Sequence, residues 1–326
     1  MASQRFARPI FDNPFLKIQE LPGNTVKRNS ESLKQANCDP KGTSLVVTRD
    51  VDLDTTKNTW LRLYVPRRLT KNPTPKKLPL IMYYHGGGFV YFHANTFIFD
   101  VFCQALAERV GAMVISLEYR LAPEHRLPAA YDDAMDGLEW LKSTKDEWVC
   151  NYADLSKVFL GGTSSGGNLA YNAGLRAAAM AKELEPIKIK GLILHHPFFS
   201  GKNRTESEEK QKDDQLLPLH AVDKMFDLCL PKGVDHDHEY CNPCANGGSK
   251  HLDDMKELGW KVFVSGVCED PLVDAARGCV RLMEQKGIKV FKFFRDGYHT
   301  MEVFDQSMAA ALYDAAKDFV YAVSRT

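Results

Sequence analysis

The pentapeptide at residues 162–166 contains the first side chain that could do covalent chemistry. Its sequence, GTSSG, matches Gly-x-Ser-x-Gly, in which a serine occupies a sharp turn between a strand and a helix. An apolar run at residues 157–160 precedes it and a helical pattern follows it, as such a turn requires. The pattern predicts Ser164 as a nucleophile at the head of a helix, where the helix dipole favours developing negative charge. The alternative is an ordinary turn in which Ser164 only caps the helix.

Three glycines upstream could supply the hydrogen-bond donors that a serine nucleophile needs. The sequence HGGG at residues 85–88 directly follows a strand-like apolar run. Glycines let the backbone approach a ligand closely and turn its N–H groups inward, and such donors stabilise the oxyanion of a tetrahedral intermediate. We expect the donors to be the N–H groups of Gly86, Gly87 and Ser165. For His85 we expect a role in shaping the loop rather than in proton transfer.

An acid and a histidine follow in the chain order that a Ser-acid-His arrangement can take. Asp270 lies where the loop after an apolar run meets a helix, and His299 lies on the loop after the next apolar run. His299 is predicted to take the proton of Ser164 as general base, and Asp270 to hold the tautomer of His299. The rival acids are the neighbouring Glu269 and Asp274.

Strand-like and helix-like segments alternate around these motifs. Short apolar runs separated by amphipathic stretches are typical of parallel strands covered by helices on both faces. We therefore expect an α/β fold with a mostly parallel central sheet flanked by helices. The predicted strands are residues 45–48, 60–65, 80–84, 113–117, 157–160, 191–194, 260–264 and 290–294, and the predicted helices are 165–183, 216–230, a segment ending at 283, and 306–323.

Two segments, residues 1–43 and 201–259, interrupt that alternation. The second is too long for a structureless loop in a compact domain, and its residues 216–230 have helical periodicity. We interpret the chain as a single α/β domain, residues 1–326, in which these two segments form a helical cap. The charged run at residues 206–214 is interpreted as a solvated face.

Aromatic side chains lie close in sequence to the predicted catalytic loops. They follow the glycines and the strand at residues 191–194. They predict an apolar pocket for a small apolar or acylated ester, which could be an acetylated natural product, a short-chain ester or a xenobiotic. The expected lining residues are Phe89, His196, Phe198 and Phe199, together with Tyr91 and Phe92.

Composition excludes several other classes of protein. The chain has 326 residues, 42 basic and 42 acidic side chains, and 44% apolar residues. Disorder needs low hydrophobicity and high net charge, and a nucleic-acid binder usually carries a net basic field. No apolar run approaches the ~20 residues of a membrane span, and the first residues lack the apolar core of a secretory signal. We predict a cytoplasmic protein with no nucleic-acid or membrane partner, either monomeric or a weak homo-oligomer.

Two patterns are similar to metal sites but lack the spacing that such a site needs. Cys241 and Cys244 form a lone C-x-x-C without a second pair. Residues 235–238, DHDH, lie in a polar insertion and are interpreted as a solvated turn. The eight cysteines are scattered along the chain, which favours reduced thiols. We expect no metal.

The motifs together resemble those of plant carboxylesterases of the hormone-sensitive-lipase-like branch of the α/β-hydrolase fold. The resemblance runs from about residue 44 to the C-terminus. One departure is Thr163, because the residue before the serine is often acidic in that family. The resembling motifs are HGGGF (85–89), EYRLAPEHRLPAAYDDA (118–134), GTSSGGN (162–168), CLPKGVDHDHEYCNP (229–243), DPLVD (270–274) and GYH (297–299).

The resemblance implies hydrolysis of a small-molecule carboxylic ester through an acyl-enzyme, with no cofactor. It implies Ser164 as nucleophile, Asp270 as acid, His299 as base and residues 85–87 as the oxyanion motif, under a cap formed by the arm and the insertion. Related proteins on this scaffold are dehydratases, cyclases or hormone receptors. His299 argues against a receptor, since the gibberellin receptor lacks that histidine. The unaltered HGGG argues against a dehydratase or cyclase, whose glycine loop usually carries threonine or alanine.

Overall fold

The computed structural model describes residues 19–21, 25–28, 34–41, 43–70, 77–245 and 247–324. Eight strands of this part form one sheet in the order β10-β9-β8-β7-β5-β6-β4-β3, and two short strands form a separate antiparallel pair. The strands are β1 (Gln19–Leu21), β2 (Thr25–Lys27), β3 (Val46–Asp54), β4 (Thr59–Pro66), β5 (Leu78–Tyr84), β6 (Met113–Glu118), β7 (Ala153–Thr163), β8 (Ile189–His195), β9 (Lys261–Val267) and β10 (Lys289–Arg295).

Six neighbouring strands, from β10 to β6, run parallel, and β4 and β3 extend the sheet antiparallel at one edge. Every residue of β5 and of β6 is buried, as expected for parallel strands covered on both faces. The edge strand β3 is buried at its first three residues and partly or fully exposed over the rest of its length. The prediction of a mostly parallel sheet flanked by helices is confirmed.

Eleven α-helices occur in the described residues, with one π-helical turn (Ala107–Gly111) and one 3-10 turn (Gln306–Met308). They are α1 (Arg67–Thr70), α2 (Phe97–Leu106), α3 (Ala129–Ser143), α4 (Glu147–Tyr152), α5 (Ser165–Ala179), α6 (Glu206–Lys210), α7 (Leu219–Cys229), α8 (Leu252–Glu257), α9 (Val273–Gln285), α10 (Met301–Phe304) and α11 (Ala310–Val323). Helix α11 begins later than predicted, because residues 306–308 form the 3-10 turn.

Two adjacent residues of β8 show how helices cover both faces of the sheet. A Cβ on Gly191 would lie 3.2 Å from the Phe319 ring of α11, whereas a Cβ on Gly174 of α5 would lie 2.8 Å from the side chain of Leu192. Successive strand residues point to opposite faces. Helices α5 and α11 therefore pack on opposite faces of the sheet.

The insertion between β8 and β9 carries helices α6, α7 and α8, and its main helix is shorter than the predicted 216–230. The interpretation of residues 206–214 as a solvated face is wrong for two of its carboxylates. Glu208 is fully buried and accepts a hydrogen bond from Ser200 Oγ at 2.5 Å. Asp214 is also buried, and its Oδ1 accepts from the N–H groups of Leu216 and Leu217. Burial of both carboxylates is tolerated because each accepts hydrogen bonds from nearby donors.

Most of the predicted N-terminal arm, residues 1–43, lies outside the described residues. Within the described part, Arg28 donates to the carbonyl oxygens of Val90 and Ala122 and forms an ion pair with Glu124. None of the described helices is long and apolar enough to cross a membrane.

Candidate active site

Ser164 occupies the turn between β7 and α5. Its φ of 56° and ψ of −117° are unusual for a residue with a side chain. The flanking glycines are required by close backbone contacts: a Cβ on Gly166 would lie 1.9 Å from Tyr84 O, and a Cβ on Gly162 would lie 2.3 Å from Gly166 O. This tight turn is the physical reason for the Gly-x-Ser-x-Gly spacing.

A continuous chain of hydrogen bonds joins Ser164, His299 and Asp270. His299 Nε2 lies 3.1 Å from Ser164 Oγ, and His299 Nδ1 lies 2.7 Å from Asp270 Oδ2. All three residues are buried. Since ionised Asp270 can only accept, Nδ1 carries the proton and the Nε2 lone pair is directed to the serine hydroxyl. The structure thus brings together the three residues predicted to form a Ser-acid-His arrangement.

The charge of Asp270 is favoured by the histidines around it. Burial alone would raise the pKa of this carboxyl, but His299 and His196 hold it well below its usual range. Its second oxygen, Oδ1, accepts the N–H of Leu272 at 2.9 Å. The rival Asp274 instead accepts the N–H of Ser207 at 2.9 Å. The other rival, Glu269, is only partly buried.

The loop after β5 places its glycines beside Ser164. A Cβ on Gly86 would lie 3.3 Å from Ser164 Cβ, and Gly87 has a φ of +117°. Among the described residues, no backbone carbonyl accepts a hydrogen bond from the N–H of Gly86 or Gly87. Ser165 is the first residue of α5, whose N–H has no partner within the helix. These are the three groups predicted as oxyanion donors.

His85 is held in this loop by its neighbours. Its Nδ1 lies 2.8 Å from Gly86 O, and Tyr119 Oη donates to His85 O at 2.8 Å. The Tyr119 ring stacks on the imidazole at 4.2 Å. Burial lowers the pKa of His85 to about 4, so the ring is neutral near pH 7. These contacts fix the loop that carries Gly86 and Gly87.

A second histidine, His196, also contacts Asp270. It directly follows β8, and its Nδ1 lies 2.8 Å from Asp270 Oδ2. Its Nε2 lies 3.2 Å from Glu302 Oε2, and Arg295 Nη2 donates to Glu302 Oε1 at 2.9 Å. The sequence interpretation missed Glu302 and assigned His196 to the pocket. The only sequence signals for this contact were the histidine pair at the end of a strand and the acid three residues after His299.

A small cavity opens beside Ser164 and His299. Its apolar lining comes from the glycine loop, α2, the insertion and α10. Leu217 and Met225 are contributed by the insertion. The full lining is Gly86, Gly87, Gly88, Phe92, Phe99, Thr163, Ser164, Leu217, Met225, His299, Thr300, Val303 and Phe304.

The predicted pocket residues lie elsewhere, except for Phe92. Phe89 packs against Tyr119 and Tyr131, Phe198 stacks on Phe226, and Phe199 packs on Tyr171. His196 contacts Asp270 and is not among the lining residues, and Tyr91 is buried outside the lining. Of the residues predicted to line a pocket, only Phe92 is among the described lining residues of this cavity. Proximity in sequence to a catalytic loop does not fix which way a side chain points, and these aromatic rings face the core.

Comparisons with known proteins identify the family of the chain. Residues 81–302 match the family model of the alpha/beta hydrolase fold. Carboxylesterase 20 of Arabidopsis thaliana is 43% identical over 97% of this chain and 98% of its own. A 3-O-acetylpapaveroxine carboxylesterase of Papaver somniferum is 45% identical over 84% of this chain and 90% of its own. The chain belongs to the plant carboxylesterases of the hormone-sensitive-lipase-like branch.

The solved structure of an esterase from Pyrobaculum calidifontis is similar to this carboxylesterase, with a TM-score of 0.67 and 25% identity over 83% of this chain and 85% of that one. Together with the plant relatives, it identifies the chain as a serine carboxylic ester hydrolase.

Two buried clusters of the carboxylesterase contain side chains of metal-ligating type. They are His195, His196 and Glu302, and His196, Asp270 and His299. Both clusters include His196, whose two ring nitrogens already lie within hydrogen-bond distance of carboxylates. Hydrogen bonding among these groups and with Ser164 explains the second cluster without an ion.

Substitution Gly87→Ala tests the glycine loop of this carboxylesterase. A Cβ at this position would lie 2.3 Å from Tyr91 O, and the backbone has a positive φ. The loop must shift, so we expect kcat/KM for p-nitrophenyl acetate to fall by at least about 100-fold. Gly233→Ala is the matched control, because Gly233 also has a positive φ but its added Cβ meets nothing within 4 Å. Equal activity of the two variants would contradict a role for the loop.

Proposed function

We propose that this carboxylesterase cleaves small neutral esters through an acyl-enzyme on Ser164. His299 acts as general base and then general acid, Asp270 orients it, and the N–H groups of Gly86, Gly87 and Ser165 bind the oxyanion. The single observation that supports this assignment most is the unbroken chain of buried hydrogen bonds from Ser164 Oγ through His299 to Asp270.

Acylation begins when Ser164 Oγ attacks the ester carbonyl carbon and its proton passes to His299 Nε2. The carbonyl oxygen gains negative charge next to the three N–H donors. Collapse of this tetrahedral intermediate breaks the bond to the alkoxy oxygen, which takes the proton from His299 and leaves as the alcohol. Asp270, kept ionised by its histidine partners, stabilises the imidazolium while it carries that proton.

Deacylation repeats these steps with water as the nucleophile. His299 Nε2 removes a proton from the water, whose oxygen attacks the acyl carbon. Expulsion of Ser164 Oγ, reprotonated by His299, releases the carboxylic acid. The enzyme returns to its starting protonation state, so the cycle needs no cofactor.

The apolar lining of the cavity supports a neutral, apolar acyl group. Among the described residues that line the cavity, His299 is the only one with a titratable side chain. A buried carboxylate on the substrate would therefore meet no cationic side chain.

The insertion would cap the site of this single α/β domain. Leu217 and Met225 come from it, and a Cβ on Gly88 would lie 2.1 Å from Met225 Sδ. The insertion thus contacts the proposed oxyanion loop directly. The N-terminal arm, whose described part reaches the loops through Arg28, would complete the cap.

Removal of the Ser164 hydroxyl tests the proposed mechanism. Ser164→Ala should lower kcat for p-nitrophenyl acetate by at least about 10⁴-fold, because no acyl-enzyme can form. The wild type should release a burst of p-nitrophenol equal to the enzyme concentration. Ser116→Ala, another buried serine of the same sheet, is the control and should retain activity. Turnover of Ser164→Ala at the wild-type rate would refute the mechanism.

A matched pair of substrates tests the acyl preference. Mono-p-nitrophenyl succinate and its methyl ester share the succinyl group, but only the first carries a charge at neutral pH. We expect kcat/KM for the neutral ester to be at least about tenfold higher, since the apolar cavity offers no partner to the carboxylate. Equal or faster turnover of the charged ester would exclude the proposed preference.

A further inference from the structure

We propose that His196 is a positioning residue for the catalytic acid: a doubly protonated imidazole, held by Glu302, that fixes the Asp270 carboxylate for His299. The inference rests on the proposed function, since it concerns how the acid of that mechanism is held. His196 does not line the cavity, so it acts through Asp270 and not on the substrate.

The positions of its two ring nitrogens support a charged imidazole. Nδ1 lies 2.8 Å from Asp270 Oδ2, and Nε2 lies 3.2 Å from Glu302 Oε2. Ionised carboxylates only accept hydrogen bonds. A neutral ring would direct a lone pair at one of the two carboxylates, whereas a doubly protonated ring donates to both.

The charges around His196 alternate in sign. Asp270, His196 and Glu302 are each at most 2% exposed, and Arg295 binds the outer oxygen of Glu302. Burial alone would lower the pKa of His196, but Glu302 and Asp270 raise it to about 9. Burial would likewise raise the pKa of Glu302, but the charge of His196 and its hydrogen bond hold this pKa well below its usual range. The cluster therefore consists of two anions and two cations.

The neighbouring His195 differs in its contacts and charge. Its Nδ1 lies 2.9 Å from Ser265 Oγ, and its side chain makes no hydrogen bond to Asp270. Burial, together with the charge of His196, lowers the pKa of His195 to about 3, so this ring is neutral. The two adjacent histidines therefore differ in charge, although both lie beside Glu302 Oε2, at 3.5 Å for His195 and 3.2 Å for His196.

The backbone turns sharply to bring His196 to the acid. His196 has a φ of 46°, and its N–H donates to Ser265 O at 2.8 Å. Strand β8 lies between β7, which leads to Ser164, and β9, which leads to Asp270. A strained residue kept in place by its surroundings at such a point is typical of a functional role.

Two measurable consequences follow. Losing the Nδ1 donor frees the carboxylate to rotate, which should lower kcat. The ring centre of charged His196 lies 5.3 Å from that of His299. Removing this positive charge makes it easier to protonate His299, and the protonated base is inactive. The acidic limb of the kcat/KM profile should then move to higher pH. The charged or titratable groups that contact His196 are Asp270, Glu302, His195 and His299, with Arg295 behind Glu302.

The experiment compares two variants that separate the donor from the charge. His196→Asn keeps an amide donor near the Nδ1 position, and His196→Gln keeps one nearer the Nε2 position. We expect His196→Gln to lower kcat by about 100-fold and His196→Asn by less than about tenfold, both with little change in KM. Both should raise the midpoint of the acidic limb by about one pH unit. His251→Asn is the control, because this imidazole pairs with Asp254 in the insertion and contacts no residue of the cluster. It should leave kcat and the midpoint near wild type.

The results separate failure of this inference from failure of the mechanism. If Ser164→Ala is inactive but both His196 variants match wild type in kcat and midpoint, only the inference is overturned. Equal losses of kcat in the Asn and Gln variants, without a shifted midpoint, would indicate packing alone and also overturn it.

If the variants do not fold, ¹⁵N-histidine NMR of the wild-type protein tests the protonation state of His196 directly. The inference requires that the resonances assigned to His196 show both ring nitrogens protonated above neutral pH, and a neutral His196 contradicts the proposal.

Discussion

Parallel strand register is the constraint on which the site depends. Neighbouring strands align Tyr84 with Gly162, Thr163 with His195, and His195 with Ser265. Because these pairs lie at the carboxyl ends of their strands, the following loops begin at one edge of the sheet. Ser164 Oγ, His299 and Asp270 thus meet although up to 135 residues separate them along the chain. A one-residue slip of any of these strands would reverse the faces of its side chains.

The second constraint is the balance of buried charge. Moving an ion out of water costs several kcal/mol unless partners compensate for it. Asp270 is compensated by two histidines and the N–H of Leu272, and Glu302 by His196 and Arg295. This arrangement keeps the proposed acid ionised in a buried site. It also links the base to His196, which follows β8, to Arg295 on β10 and to Glu302 on α10. The site therefore extends beyond three side chains.

The sheet and the proposed catalytic residues could be predicted from the sequence because each imposes a local requirement on residue type. The turn at Ser164 tolerates only glycine at two flanking positions, and the glycine loop needs a positive φ, so both leave a short local pattern. Asp270 and His299 could be selected because each follows an apolar strand. Each of these requirements involves only a few consecutive residues, and it therefore leaves a recognisable pattern in the sequence.

Side-chain direction and long-range contacts left no such pattern. Phe198 and Phe199 look like pocket residues beside a catalytic strand, yet their rings pack into the core. The lining residues Leu217 and Met225 come from the insertion, whose path the sequence does not indicate. The contact of His196 with Glu302 spans 106 residues. These features depend on how distant segments pack, and no local spacing encodes them.

The most direct test of the central claim is a crystal structure after reaction with a p-nitrophenyl alkylphosphonate, which mimics the tetrahedral intermediate. We predict one phosphorus atom bonded to Ser164 Oγ. Its oxygen should lie within about 3.1 Å of the N–H groups of Gly86, Gly87 and Ser165, with His299 still hydrogen-bonded to Asp270. Phosphorus on another residue, or an oxygen directed away from these N–H groups, would contradict the account.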